Sequence, residues 1–230
     1  MNPEISSFPN SQFYDNQIVD SKAVCLNSRR FHVASVAPIV LRDAACRLVD
    51  STSSMLNPYN VLNIVQGRER RDKGGGSYYN VREAELAAEL CAWFLGEYDD
   101  DSKNKKRQRE TPDPRISIIT FYSAQVRAIQ QRLSRHVSDV RVSTVDSFQG
   151  SESDVVILSC VRSNSKNAVG FVSEFRRLNV ALTRAKLGIV VLCHAQTLEN
   201  GPSKDLKMLV GDARKRGMLI DYLFESDNPS

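Results

Sequence analysis

Val142-Ser143-Thr144-Val145-Asp146-Ser147-Phe148-Gln149-Gly150-Ser151-Glu152-Ser153-Asp154-Val155-Val156-Ile157-Leu158-Ser159-Cys160 sets two β-branched runs on either side of a polar turn. Val140 to Val145 and Asp154 to Cys160 read as strands, and the turn between them contains Gly150. Downstream, Glu174 to Lys186 carries Leu178, Ala181, Leu182 and Ala185 at helical spacing and predicts a helix, followed by a strand from Leu187 to Cys193. Ser203 to Arg216 predicts a last helix, with Gly217 as its C-cap. Upstream, Asn60 to Val65 and Arg115 to Tyr122 read as strands. Asn80 with Glu83 three residues on marks a capping-box start to a helix reaching about Leu95, after a Gly-rich turn at Gly74 to Gly76. A further helix begins near Ser123 and should bury Val126, Ile129 and Leu133. Short strands alternating with helices are the pattern of a parallel sheet with crossover connections, an α/β fold.

The main domain is expected over 59–217, with 1–58 leading into it and 218–230 as a tail. Within 1–58, Phe31 to Val36 is a candidate strand and Val40 to Val49 has a helical pattern. Residues 99–114 join an acidic triplet to Lys103, Lys105, Lys106, Arg107 and Arg109 without an apolar anchor, and read as a charged, solvated insertion loop. The basic cluster has the composition of a nuclear import signal, although such runs are more often plain surface loops.

With 230 residues and 41% apolar content the chain can fill a core, which excludes a disordered protein. Thirty-one Lys and Arg against 27 Asp and Glu give a net charge of +4, compatible with a polyanion partner but common without one. Five cysteines with no C-x-x-C pair exclude a zinc or dithiol site of that kind and read as reduced thiols. The N-terminal residues have no apolar signal region, and the apolar runs fall short of a membrane span. An intracellular protein is expected, the nucleus ahead of the cytoplasm.

Ligands of parallel α/β sheets gather at the carboxyl ends of strands, and the polar clusters are expected there. Gly150 allows a tight turn or the close approach of a ligand, and Glu152 offers a carboxylate to ribose hydroxyls. Ser143 and Thr144 carry small hydroxyls suited to phosphates. Taken alone, this is equally an ordinary glycine turn with a capping carboxylate. Arg177 and Arg184, seven residues apart on one predicted helix, should flank its buried stripe. Held guanidiniums can stabilise a transferring phosphoryl group, but arginines beside a helix are more often solvated or paired with surface acids.

The run Val142 to Arg162, then Gly170-Phe171, then Arg177-Leu178-Asn179-Val180-Ala181-Leu182-Thr183-Arg184-Ala185-Lys186 resembles motifs V and VI of superfamily 1 helicases, nearest the up-frameshift and senataxin-type group. Thr120-Phe121-Tyr122-Ser123-Ala124-Gln125 is similar to motif IV, T-P-Y-x-x-Q in that family. Met1 to Ile5 with the following Phe8-Pro9, Phe13-Tyr14 and Asp20 resembles the segment beginning Q-Y-R-M-H-P. The resemblance runs from the first residue to about Gly217. It implies a RecA-like parallel sheet with helices on both faces, the P-loop NTPase-type second domain of a helicase. ATP with Mg²⁺ would lie in the cleft against a first RecA-like domain, and single-stranded RNA or DNA across the top.

By the same resemblance Arg184 is the arginine that reaches the γ-phosphate, Glu152 the ribose-contacting acid and Gly150 the close-approach glycine. Tyr122, Gln125, Ser143 and Thr144 match positions facing the nucleic-acid backbone, and Gln149 lies between the two sites and would couple them. No metal ligand is expected in this chain. It contains no G-x-x-x-x-G-K-[ST], so the first domain's phosphate loop is not in it. It also begins just after the family's Tyr-Arg pair, as a fragment or truncated gene model would. Asn2, Phe121 and Ser151 depart from the usual residues and should tune contacts. The function implied is the C-terminal motor domain of an ATP-dependent 5′-to-3′ RNA or RNA/DNA helicase, inactive alone. The alternative is a free-standing nucleic-acid or protein binding module derived from such a helicase. A recombinase or kinase would need a phosphate loop here.

Overall fold

Successive side chains along each central strand point to opposite faces of the sheet, and helices cover both faces. The computed structural model describes residues 1–20, 46–48, 57–95, 114–133 and 140–224. Its strands are β1 (Cys46–Leu48), β2 (Tyr59–Ile64), β3 (Glu69–Arg71), β4 (Tyr78–Asn80), β5 (Ile116–Thr120), β6 (Arg141–Thr144), β7 (Ser153–Ser159), β8 (Ala185–Cys193) and β9 (Leu219–Phe224). Its α-helices are α1 (Pro3–Phe13), α2 (Val81–Phe94), α3 (Ser123–Gln130), α4 (Phe175–Leu182), α5 (Ala195–Asn200) and α6 (Lys204–Lys215). The sheet order is β1-β9-β2-β8-β7-β5-β6, with every pairing parallel except β1 against β9. Strands β3 and β4 form a separate antiparallel hairpin.

Val155, Ile157, Val190 and Leu192 pack with Leu86, Leu90 and Ile129 of α2 and α3 on one face. Val156, Leu158, Ile189 and Val191 pack on the other with Leu178 of α4, Leu198 of α5, Leu209 of α6 and Ile5 of α1. A sheet buried on both sides needs near-continuous apolar strands, and β5 and β7 supply them. This is the expected RecA-like arrangement.

Several elements differ from the sequence expectation. The predicted helix Glu174 to Lys186 stops at Leu182: Thr183 turns its Oγ1 back onto the Asn179 carbonyl at 2.8 Å, and Ala185 already pairs with Ser153 as the first residue of β8. Helical spacing continued past this point, but tertiary pairing ends the helix. Leu219–Phe224, expected in the tail, is a strand inside the sheet between β1 and β2. Cys46–Leu48 is a strand within the stretch read as helical. Helix α3 buries Ala124, Gln125, Ala128 and Ile129, while Val126 is only half-buried. Phe31 to Val36 and almost all of the 99–114 loop lie outside the described residues.

The connection from β6 to β7 carries Gln149, Gly150 and Glu152 of the candidate site. Thr144 lies opposite Thr120 at the carboxyl edge, whereas Ser153 lies opposite Ala185 at the amino edge. Residues 145–152 therefore descend the full height of the sheet, about 20 Å for a seven-residue strand, while shifting sideways by two strand spacings, about 10 Å. Phe148, 1% exposed, anchors the descent in the core and contributes roughly 2 kcal/mol by burial.

Candidate functional site

At the amino edge the loop meets the end of α4. Gly150 has φ +79°, a left-handed conformation that side chains other than glycine resist, and the space where a Cβ would stand is open. Arg184 lies beside it, in the turn from α4 to β8. Its Nε donates to the Val180 carbonyl at 3.0 Å, its Nη2 to Thr183 Oγ1 at 3.1 Å, and its Nη1 approaches the Ser151 carbonyl at 3.4 Å. The first bond satisfies an orphan carbonyl of the helix C-terminus. Glu152, exposed, pairs with Lys186 Nζ at 3.3 Å. The Asn2 amide donates to the Lys186 carbonyl at 2.8 Å, which brings the N-terminus to the same edge. Arg141 clamps the loop: Nη1 donates to Ser151 Oγ and Nη2 to the Ser147 carbonyl, both at 2.8 Å, with the guanidinium 4.7 Å from the Phe148 ring centre.

Gly150, Glu152 and Arg184 are thus together, but at the amino ends of β7 and β8 and not at carboxyl ends. Arg177 is apart from them. It begins α4 at the opposite edge, about 10 Å along the helix axis, where its Nε meets Asp146 and Glu174, each at 3.0 Å. The two arginines do not share a helix face, because Arg184 is past the helix end.

At the carboxyl edge Thr144 Oγ1 donates to Ser147 Oγ at 2.9 Å and accepts from the Ser147 amide at 3.3 Å. Ser143 is partly exposed, but its Oγ is buried without a hydrogen-bond partner. Tyr122 and Gln125, expected to face nucleic acid, point inward. Tyr122 is 2% exposed, and its hydroxyl lies 3.3 Å from Arg162 Nη1. Gln125 is fully buried, accepting from the Asn80 amide at 2.8 Å and donating to the Asn80 carbonyl at 3.1 Å and to Ser159 Oγ at 3.0 Å. Both residues support the edge from beneath, since their polar groups are committed to the interior. Gln149 is exposed on the descending loop, between the two edges.

Sequence reasoning missed the buried polar layer under the carboxyl edge. Val161 has φ +73°, rare for a β-branched residue, and the Arg162 amide reaches back to the Cys160 carbonyl at 2.8 Å in a tight γ-turn. The turn is held by Glu83, whose Oε2 accepts from the Val161 amide at 2.8 Å and from Ser159 Oγ at 2.6 Å, and by Asn80 Nδ2 on the Val161 carbonyl at 3.2 Å. Complete burial pushes the Glu83 carboxyl up to about 8, although Ser159 and Val161 donate to it. Asn80 does cap α2, accepting from the Glu83 amide, but the Glu83 carboxylate faces β7 and does not close a capping box. The γ-turn aims Arg162 at Glu69 in a bidentate pair at 2.8 and 3.2 Å, with side chains only 7% and 14% exposed. Only the Asn80 to Glu83 spacing hinted at this layer.

Among the described residues no group of three or more His, Cys, Asp or Glu side chains could hold a metal ion, and no helix is long and apolar enough to cross a membrane. Cys91, Cys160 and Cys193 are buried, and Cys160 and Cys193 are free thiols.

A family model described as an AAA domain matches residues 1–196. The chain belongs to that family. It is similar to Helicase SEN1 of Saccharomyces cerevisiae, 32% identical over 228 residues that make up 95% of this chain and 9% of the relative. Probable helicase senataxin of Homo sapiens is 37% identical over 71% of this chain and 6% of its own length. The Drosophila melanogaster Regulator of nonsense transcripts 1 homolog is 32% identical over 86% of this chain and 15% of the relative. The AAA domain described here is thus a superfamily 1 helicase domain of the senataxin and up-frameshift type, in the region of the second RecA-like domain. The domain spans no more than about a sixth of the length of these three relatives.

Proposed function

We propose that this chain is the second motor domain of an ATP-dependent 5′-to-3′ helicase acting on RNA or RNA/DNA hybrids. The observation that carries the reading is the convergence of Gly150, Glu152 and Arg184 at one edge, with the N-terminal residues arriving beside Lys186. The pieces suit one wall of a nucleotide site. Gly150 leaves room for close approach, Glu152 has a solvent-facing carboxylate for ribose hydroxyls, and Arg184 Nη1 makes only a long contact that a phosphate oxygen can replace. Bound ATP, with Mg²⁺ held by carboxylates of a first RecA-like domain, supplies the phosphoanhydride bond whose cleavage drives movement. In that cleft Arg184 orients on the γ-phosphate and neutralises charge that develops there.

Thr144 and the neighbouring Ser147 give the carboxyl edge small hydroxyls for a strand's backbone, without base-specific contacts, while the Ser143 Oγ is buried and takes no part in that surface. Gln149 sits on the loop joining this edge to the nucleotide wall and links their states. A nuclear site of action is part of the same reading.

The test joins this chain to a first RecA-like domain and measures ATP turnover with and without single-stranded RNA. Stimulated turnover that Arg184→Ala abolishes while RNA binding persists supports the reading. Loss of RNA binding with turnover intact overturns the role given to Arg184. Unwinding of duplexes with 5′ but not 3′ tails tests the polarity.

A further inference from the structure

The β3–β4 hairpin sorts its charges by direction. Glu69 turns into the body, accepting from Arg162 Nε at 2.8 Å, the Ser163 amide at 2.9 Å and Asn164 Nδ2 at 2.8 Å. Asp72 is engaged by Arg127 Nη2 at 2.6 Å. Arg70, Arg71 and Lys73 are exposed, and none of them meets a carboxylate among the described residues. Both acids of the hairpin are neutralised by arginines of the body, so its outer surface is cationic. The mounting is firm: the Asn80 amide is held by Gln125, and Ser77 Oγ accepts from the Ala124 amide at the start of α3. The tip, Gly74 to Gly76, has open space where side chains would stand.

From this hairpin a row of rings crosses the carboxyl edge. The Arg71 guanidinium lies 5.8 Å from the Tyr78 ring, Tyr78 packs edge-on against Tyr122 at 5.8 Å, and Tyr122 is 6.0 Å from Phe171. Phe171 is 56% exposed, and Arg177 lies over it at 5.4 Å. Arg177 in turn binds Asp146, two residues from Thr144. An exposed ring with a guanidinium over it, and a cationic arm beyond, is the chemistry that holds a single strand.

We propose that the β3–β4 hairpin is a phosphate-gripping arm of the strand-binding edge, in which Arg70, Arg71 and Lys73 hold the backbone of a single-stranded nucleic acid whose bases stack from Phe171. This rests on the helicase reading above. The cations act on phosphates and carry no sequence information, and the glycine tip lets the backbone come close.

Fluorescence anisotropy of a labelled single-stranded oligonucleotide, titrated with the purified chain over a range of salt, tests it. Each phosphate contact contributes ~0.7 to the slope of log affinity against log salt on a single strand. Arg70→Gln, Arg71→Gln and Lys73→Gln together should make the slope shallower by about 2. Phe171→Ala should weaken binding about tenfold and leave the slope unchanged. The exposed lysines of α6 serve as the control, and Lys204→Gln, Lys207→Gln and Lys215→Gln should leave the slope as it was. Equal loss in that control reduces the effect to net charge and overturns the arm. An unchanged slope in the hairpin variant, with the unaltered chain binding normally, overturns this proposal alone. No binding by the unaltered chain overturns it together with the strand-binding reading beneath it. If the hairpin variant loses affinity for phosphatidylserine vesicles but keeps it for the oligonucleotide, the arm serves a membrane and the proposal fails.

Discussion

Arg184 closes the last turn of α4 by donating to the Val180 carbonyl at 3.0 Å, and the same guanidinium faces the Gly150 turn across the Ser151 carbonyl. Two bonds orient the group, the second from Nη2 to Thr183 Oγ1 at 3.1 Å, while Nη1 stays loosely held. In a helicase containing both motor domains, Arg184→Ala should therefore lower kcat for ATP by about 10³ or more, with nucleic-acid affinity within a few-fold. In the separate chain it should cost only about 1 kcal/mol of stability, read by urea denaturation. The separate chain itself should hydrolyse no ATP above background, since its sequence has no phosphate loop.

Glu83 makes stability depend on pH. Its folded-state value, about 8, stands above the ordinary value of 4.5, so proton binding favours the fold. Its contribution is complete below about pH 4.5 and is lost as the pH rises through about 8. The melting temperature of the unaltered chain should fall from about pH 5 to about pH 8, and Glu83→Gln should flatten that decline. Circular dichroism melts at matched ionic strength measure it, and parallel curves for the two proteins would remove Glu83 as the cause.

Two glycines with positive φ should respond differently. At Gly170, φ +54°, an added Cβ would run into Arg162 Nη1 and stand 2.9 Å from the Tyr122 hydroxyl. Gly170→Ala should cost roughly 2 to 3 kcal/mol in denaturant melts, combining backbone strain with overpacking. Gly150→Ala meets no neighbour and should cost about 1 kcal/mol. Its larger effect should be a raised KM for ATP in the two-domain protein.

The Glu69 and Arg162 pair should be strongly non-additive. Glu69→Leu leaves a buried guanidinium without its counter-charge, and Arg162→Met leaves a carboxylate held only by the Ser163 amide and Asn164, each costing about 3 kcal/mol. The double variant should cost less than either single change. Strict additivity in urea denaturation would show that the pair is not a unit.

The sequence made the central strands readable because β5, β7 and β8 are apolar on both faces, a signal that needs no tertiary information. Helix α6 was equally plain, with Leu206, Leu209, Val210 and Ala213 buried at helical spacing and Ser203 accepting from the Leu206 amide as its cap. The end of α4 was not readable, since Ala185 and Lys186 extend a helical period and only their pairing with β7 makes them a strand. Leu219–Phe224 was lost for a related reason: a short run beyond the last motif carries no mark of the partners it will meet. At the site, the motifs single out Gly150, Glu152 and Arg184, which the fold brings to one edge, but carry no sign that Tyr122 and Gln125 are buried. Whether a polar side chain faces solvent or a buried amide depends on Asn80 and Ser159, which come from distant parts of the chain.

Residues 145–152 link the two edges with little length to spare. With three of the eight residues wound into a 3₁₀ turn, their reach is about 26 Å at most, against a diagonal of about 22 Å. Such a tether has almost no slack and works as a tie-rod bolted at its middle by Phe148 and braced by Arg141. The carboxyl and amino edges of the sheet are in this sense joined in series through one short piece of backbone, while the sheet between them can remain rigid.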